Sequence, residues 1–204
     1  MIGVTDIITI LGKRGSGKST LGKYIQRVFP RVVVFDRLHE YSGDKSAIYV
    51  STWEEFSEAI RATAAAARFK IVYQFDIEAT NDDAVFNEAM RILYYRGSIC
   101  VVIEEVHVFA SAHYLPQWLR EALLTGRHRK MALIATSQRP AELHKTLLSQ
   151  SHHIFSGTLH EKNDVNYLAS VMGEAAFSLS QLKPFHFLHF RPGEKTQVIR
   201  SKIR

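Results

Sequence analysis

The sequence predicts an α/β fold: a mostly parallel sheet with helices on both faces, closed by a C-terminal β-hairpin. Three observations carry that expectation. Apolar runs recur along the chain, and those at 31–35 and 99–103 are almost wholly apolar, as in strands covered on both faces. Segments with helical spacing or helix-start signals separate the runs, and such alternation implies parallel strands joined by crossover helices. Near the end, Phe185 to Phe190 and Thr196 to Ile199 flank a turn at Arg191-Pro192-Gly193-Glu194, which reads as a hairpin.

Taken in order, Ile7 to Leu11 is the first strand and feeds a glycine-rich loop. Leu21, Tyr24, Ile25 and Val28 then recur at helical spacing until Pro30 stops the helix. Arg31 to Phe35 is a strand, 36–47 a polar loop, and Ile48 to Val50 a short strand. Ser51 with Glu54 forms a capping-box signal that opens an alanine-rich helix to about Arg68. A strand over 70–75, an acidic loop from Asp76 to Asp83 and a helix to about Tyr95 follow. Ile99 to Ile103 is the clearest buried strand; a loop and helix cover 106–125, and Met131 to Thr136 is the next strand. Pro140 suits the first turn of a helix to about Leu148, ahead of a strand at 153–156 and a helix over 161–171.

With 204 residues, 46% hydrophobic and 23% charged, the chain is expected to form one domain, 1–204. The net charge of +6 and a pI near 9.5 favour a polyanionic partner such as nucleic acid. Cys100 is the single cysteine, so an intrachain disulfide framework is excluded. No signal-peptide pattern and no apolar run of spanning length occurs, which predicts a soluble, intracellular protein. The histidines do not read as a zinc site: His152 and His153 point to opposite faces of a strand, as do His186 and His189. The basic run from Arg191 to Arg204 reads as a solvated face.

The loop Gly12-Lys13-Arg14-Gly15-Ser16-Gly17-Lys18-Ser19 matches G-x-x-x-x-G-K-[ST] at every fixed position, between a strand and a helix. Gly15 and Gly17 allow backbone N–H groups to close around phosphate oxygens, and the helix beginning near Lys18-Ser19-Thr20 points its positive end at them. Lys18 is expected to reach the β- and γ-phosphates of ATP, and Ser19 to hold Mg²⁺. Glu104 and Glu105 end the clearest buried strand: Glu104 is assigned to Mg²⁺ and Glu105 to the attacking water as general base. Gln138, just beyond the next strand, is expected beside the γ-phosphate. A six-residue strand spans about 20 Å, so Arg127, which precedes that strand, lies near the opposite edge. It is placed to act on a neighbouring subunit's site, with Arg129 as the alternative finger and Lys130 as a nucleic-acid phosphate contact.

Together, the phosphate loop, Val32-Val33-Val34-Phe35-Asp36 followed by Glu40-Tyr41-Ser42, the strand ending Glu104-Glu105, and Gly126-Arg127 eleven residues before Gln138-Arg139-Pro140 resemble the FtsK–HerA superfamily. The hairpin entered through Leu182-Lys183-Pro184 is similar to that family's closing segment. The resemblance implies a P-loop NTPase fold of the RecA/ASCE-like kind, a ring-forming ATPase that pumps double-stranded DNA, Arg127 as the trans finger and Gln138 as a sensor. The bare motor core resembles the viral genome-packaging branch, as found in archaeal turreted icosahedral viruses. Expected partners are duplex DNA, further copies of the chain in a ring, and a capsid or portal-vertex protein. The expected location is the host cytoplasm, transiently at the procapsid vertex. Two alternatives stand beside this: a secretion or assembly ATPase of the same superfamily, and a small-molecule P-loop kinase. The kinase reading requires a mobile arginine-bearing lid and leaves Glu105 and Gln138 without a role.

Overall fold

The computed structural model of the chain describes residues 2–76, 82–194 and 196–200. Among the described residues, nine strands form one sheet: β1 (Ile7–Leu11), β2 (Arg31–Asp36), β3 (Ile48–Val50), β4 (Phe69–Gln74), β5 (Ile99–Ile103), β6 (Met131–Ser137), β7 (His153–Ser156), β8 (His186–Phe190) and β9 (Gln197–Arg200). Their order across the sheet is β3-β4-β2-β5-β6-β1-β7-β8-β9. All pairings from β3 to β7 are parallel, and β8 and β9 add antiparallel at one edge as the expected hairpin. The helices are α1 (Lys18–Ile25), α2 (Trp53–Ala62), α3 (Asp82–Arg96), α4 (Gln117–Thr125), α5 (Lys145–Ser149) and α6 (Lys162–Met172). Among the described residues, no helix is long and apolar enough to cross a membrane.

Alternation along the central strands creates two cores. Ile8, Ile10, Val32, Val34, Val102 and Ile134 pack on one face with Leu21 and Ile25 of α1. Ile7, Leu11, Val33, Phe35, Val101 and Ile103 pack on the other with α2, α3, α4 and α6. Phe35 meets Phe86 of α3 edge-on at 5.0 Å, and Phe86 stacks on Phe109 at 4.2 Å. That column fixes the turn beyond β5 from below, and burying rings of this size contributes several kcal/mol (roughly 1.5–3 each).

Several helix boundaries differ from expectation, each for a local reason. The capping box is Thr52 with Glu55, not Ser51 with Glu54: Thr52 Oγ1 accepts from Glu55 N at 3.2 Å while Glu55 Oε2 accepts from Thr52 N at 3.3 Å. α2 stops at Ala62 rather than near Arg68. The Thr63 hydroxyl donates back to the Ala59 carbonyl, and the chain must turn to bring Phe69 N onto the Pro30 carbonyl at 3.0 Å. Pro140 opens a 3₁₀ turn (Pro140–Glu142), after which Leu143 is extended and α5 starts anew behind the His144 cap. On α1 only Leu21 and Ile25 of the expected stripe are buried; Tyr24 and Val28 are exposed, since the face against the sheet runs through Lys18, Leu21, Gly22 and Ile25. Of the acidic loop at 76–83, residues 77–81 lie outside the described residues, as do Lys195 and 201–204 of the basic tail.

Candidate nucleotide site

Parallel strands deliver their carboxyl ends to one edge, and the site is built there. Gly12 N donates to Ser137 O (3.2 Å) beyond β1, and Lys13 N to Thr158 O (2.8 Å), so the loop hangs between the ends of β6 and β7. Gly15 and Gly17 have φ of 78° and 98°, left-handed values that strain a residue with a side chain. Lys13 and Arg14 are exposed, whereas Ser16 is buried beneath the loop. α1 begins at Lys18 with no acidic residue in its first turn, leaving its N–H groups and positive end for an anion. A cavity of about 280 Å³ opens here, lined by Arg14, Gly15, Gly17, Lys18, Ser19 and Thr20 of the loop and by Glu40, Gln138 and Phe185. A larger cavity, about 410 Å³, lies beside Gln26, Arg27 and Lys70, away from these groups.

Lys18 is only 6% exposed, and its ammonium lies 3.7 Å from Glu105 Oε1 and 3.5 Å from the Lys13 carbonyl. Burial lowers its pKa, against the opposing pull of the Glu105 and Glu104 charges. Glu104 follows β5 and is 1% exposed. Its Oε2 accepts from the Thr136 hydroxyl at 2.6 Å, while Oε1 is buried without a hydrogen-bond partner among the described residues. The Tyr41 hydroxyl stands beside this carboxyl, near enough to favour its charged form, though wide of good hydrogen-bond geometry. Burial pushes the Glu104 carboxyl up to about 7, partly offset by the Thr136 bond.

Glu105 is held in a left-handed conformation (φ 50°), with its N–H donating to Thr136 Oγ1 at 3.1 Å. The turn aims its carboxylate across the sheet edge at Gln138, whose Nε2 donates to Oε1 at 2.7 Å and whose backbone N donates to Oε2 at 3.1 Å. His107 Nδ1 lies 3.3 Å from Oε2 and 3.2 Å from Ser137 Oγ. Burial works to raise the Glu105 pKa, but the His107 and Gln138 bonds and the Lys18 charge outweigh it, and the net shift is downward. Glu105 is therefore ionised at neutral pH and already engaged by three side chains.

Lys18, Ser19, Glu105 and Gln138 thus meet at one mouth, with Glu104 just beneath it. Arg127 does not join them. It lies exposed in the 3₁₀ turn Gly126–Arg129 before β6, at the opposite edge of the sheet, beside a second cavity lined also by Thr5, Met131 and His152. Arg129 packs its guanidinium over Tyr94 (5.3 Å) and Tyr95 (5.7 Å). Lys130 is exposed in a left-handed conformation (φ 55°) that closes the turn.

Sequence reasoning did not single out His107 or Phe185. A polar residue two positions past Glu105 was the available signal for His107; for Phe185 it was an aromatic directly after Pro184. Nor did it pair His153 with His189. Cross-strand neighbours Phe155 and His189 bring the two imidazoles within 2.9 Å, and His153 Nε2 lies 3.1 Å from Asp6 Oδ2. A neutral His153 that donates to Asp6 must accept from His189, which sets both tautomers.

No family model and no curated protein sequence matches the chain. Solved structures do. The genome packaging NTPase B204 from Sulfolobus turreted icosahedral virus 2 in complex with sulfate superposes with a TM-score of 0.79 at 19% identity, covering 99% of each chain. The same protein in complex with ATP-gammaS gives 0.77 at 20% identity over 100% of both chains. VirB4 of Thermoanaerobacter pseudethanolicus gives 0.67 at 13% identity, over 100% of this chain and 92% of that one. From β1 to the closing hairpin, the chain has the P-loop NTPase fold that these proteins share.

Proposed function

We propose that the chain is an ATP-hydrolysing motor that translocates double-stranded DNA, a viral genome-packaging ATPase acting as a homo-oligomeric ring with residues 1–204 as one motor domain. The observation that carries this reading is the meeting of Lys18, Glu105 and Gln138 beside a phosphate loop. The likeness in fold to a genome packaging NTPase over the whole chain supports the choice of motor.

ATP phosphates lie against the backbone N–H groups of residues 12–20, and Lys18 leaves Glu105 for the β- and γ-phosphates. Glu105 takes a proton from water as the water oxygen attacks the γ-phosphorus. The bond to the β–γ bridging oxygen breaks, and ADP and phosphate leave. A carboxylate stabilised by this many donors is a weak base, so its strength rises when Lys18 and the Gln138 amide let go. Arrival of the γ-phosphate, which competes for both, therefore switches the base on. That is the sensor role of Gln138.

The donor set fits Mg²⁺. Ser19 and Glu104 would hold the ion, and the orphaned, buried Oε1 of Glu104 is the kind of oxygen that calls for a cation or its water. Held there, the ion would neutralise phosphate charge that builds up during transfer. Arg127, remote from its own loop, serves the site of the next subunit in the ring, and its charge there stabilises the transition state. Arg129 and Lys130 are offered to the DNA backbone, Lys130 foremost because the Arg129 guanidinium is stacked on tyrosines. The remaining partner is a capsid or portal-vertex protein, met in the host cytoplasm at the procapsid vertex.

Phosphate release from ATP, measured with and without long duplex DNA at two salt concentrations, tests this. Stimulation by DNA that weakens with salt is expected of a motor gripping phosphates. Steady hydrolysis indifferent to DNA would point to a secretion or assembly ATPase instead, and turnover that requires a small acceptor would point to a kinase.

A further inference from the structure

Phe185 is the aromatic wall of the phosphate-loop cavity and has no part in the hydrolysis described above. Its backbone is left-handed (φ 62°), a conformation in which a bulky residue is a genuine outlier. Such strain persists only where the surroundings impose it, and it concentrates at binding sites. The surroundings here are specific. Phe185 N donates to the Ser16 carbonyl inside the phosphate loop at 2.9 Å, and His186 N closes the turn onto Lys183 O at 3.1 Å. Thr158 Oγ1, beyond β7, donates to Leu182 O at 2.9 Å and ties down the start of the segment.

These bonds lay the ring directly on Gly17. A Cβ added at Gly17 would sit 2.4 Å from Phe185 Cδ1 and 3.0 Å from Cε1. Glycine at this position therefore serves two ends, the loop's φ of 98° and room for an aromatic ring. The ring is partly exposed and borders the same cavity as Lys18, Ser19 and Thr20. A molecule whose phosphates lie on the loop and the first turn of α1 has this ring beside it.

We infer that Phe185 is the platform for the base: its ring stacks on the heterocycle of the bound nucleotide, and the 182–186 turn exists to present it. This deepens the reading of the cavity as a nucleotide site and rests on it. Stacking favours the large purine face, and it adds affinity for the nucleoside half without touching the phosphates.

The test compares binding of ATP and of inorganic tripolyphosphate, which has no base, by calorimetry to the wild type, Phe185→Leu and Phe185→Trp. Phe185→Leu keeps apolar bulk on Gly17 and removes the π face. It should weaken ATP about 10-fold or more while leaving tripolyphosphate within about 2-fold, and Phe185→Trp should restore ATP. Equal loss of both ligands in Phe185→Leu would mean that the ring merely braces the loop, and the inference fails. Unchanged ATP affinity in Phe185→Leu overturns it as well. If the wild type binds neither ligand, the nucleotide-site reading itself falls, a result that loss confined to the base cannot mimic.

Discussion

Replacing Glu105 by Gln separates chemistry from binding. The substitution keeps shape and one acceptor oxygen but turns the other into an NH₂ donor. Both native oxygens face donors: Gln138 Nε2 at 2.7 Å and Lys18 at 3.7 Å on Oε1, Gln138 N at 3.1 Å and His107 at 3.3 Å on Oε2. The new NH₂ avoids the fixed Gln138 N–H by taking the Oε1 position, where the Gln138 carboxamide can turn over to accept it; exchanging charged for neutral hydrogen bonds in this largely buried place costs about 1–3 kcal/mol. For a chain of this size that lowers Tm by about 2–12 °C. Loss of the base should slow hydrolysis by about 10²–10⁴-fold. ATP affinity should hold or rise, because Lys18 no longer has a carboxylate competing with phosphate. The assay is single-turnover phosphate release beside equilibrium ATP binding. Turnover by Glu105→Gln within about 10-fold of wild type would remove Glu105 as the base. Binding weakened by more than about 10-fold would show instead that the carboxylate maintains the loop's shape.

Two further outcomes are expected. Arg127→Ala subunits and Glu105→Gln subunits, each inactive alone, should regain hydrolysis when mixed, since some shared sites then combine an intact base with an intact arginine; mixed rings without any recovery would return Arg127 to a cis role or a DNA contact. Acid should weaken the fold through His189, whose pKa falls to about 4 because of burial, the His153 beside it and the Arg191 charge, with Glu194 opposing. An unfolded histidine titrates near 6.5. Between that pH and about 4 the unfolded chain binds a proton that the folded chain does not, so stability is full above 6.5 and declines as pH falls through this window. The unfolding free energies from urea titrations at pH 7.5 and 5 should differ by on the order of 1 kcal/mol less in His189→Gln than in wild type, and an identical decline in both would refute the assignment.

Much of the site was legible because each part sits in a short string with its own physical meaning. The loop from Gly12 to Ser19 needs only itself and its flanking elements. Glu104-Glu105 and Gln138 end apolar runs, and parallel strands share a carboxyl edge, so the order of runs along the chain already brings those ends together. The bounds of β3, β5 and β7 match the expected strands residue for residue. Helix ends were less legible. Alanines at 64–67 favour helix, yet α2 ends at Ala62, because β4 must begin at Phe69 to pair with β2, and tertiary pairing outweighs propensities of a few tenths of a kcal/mol (about 0.7 at most for ordinary residues). Pro140 fits a helix start and makes one, but only of a single 3₁₀ turn.

By itself, then, the sequence determined the class of fold, the sheet edge that carries the candidate site and several of the groups that meet there, since periodicity, glycine placement and strand-end carboxylates act over a few residues. Tertiary structure alone decided which groups touch. That Gln138 and His107 hold Glu105, that Phe185 lies on Gly17 from the far end of the chain, and that His153 meets His189 all depend on strand order and register. Those contacts are made between elements distant in sequence, where no local pattern of residues carries a signature of the partner.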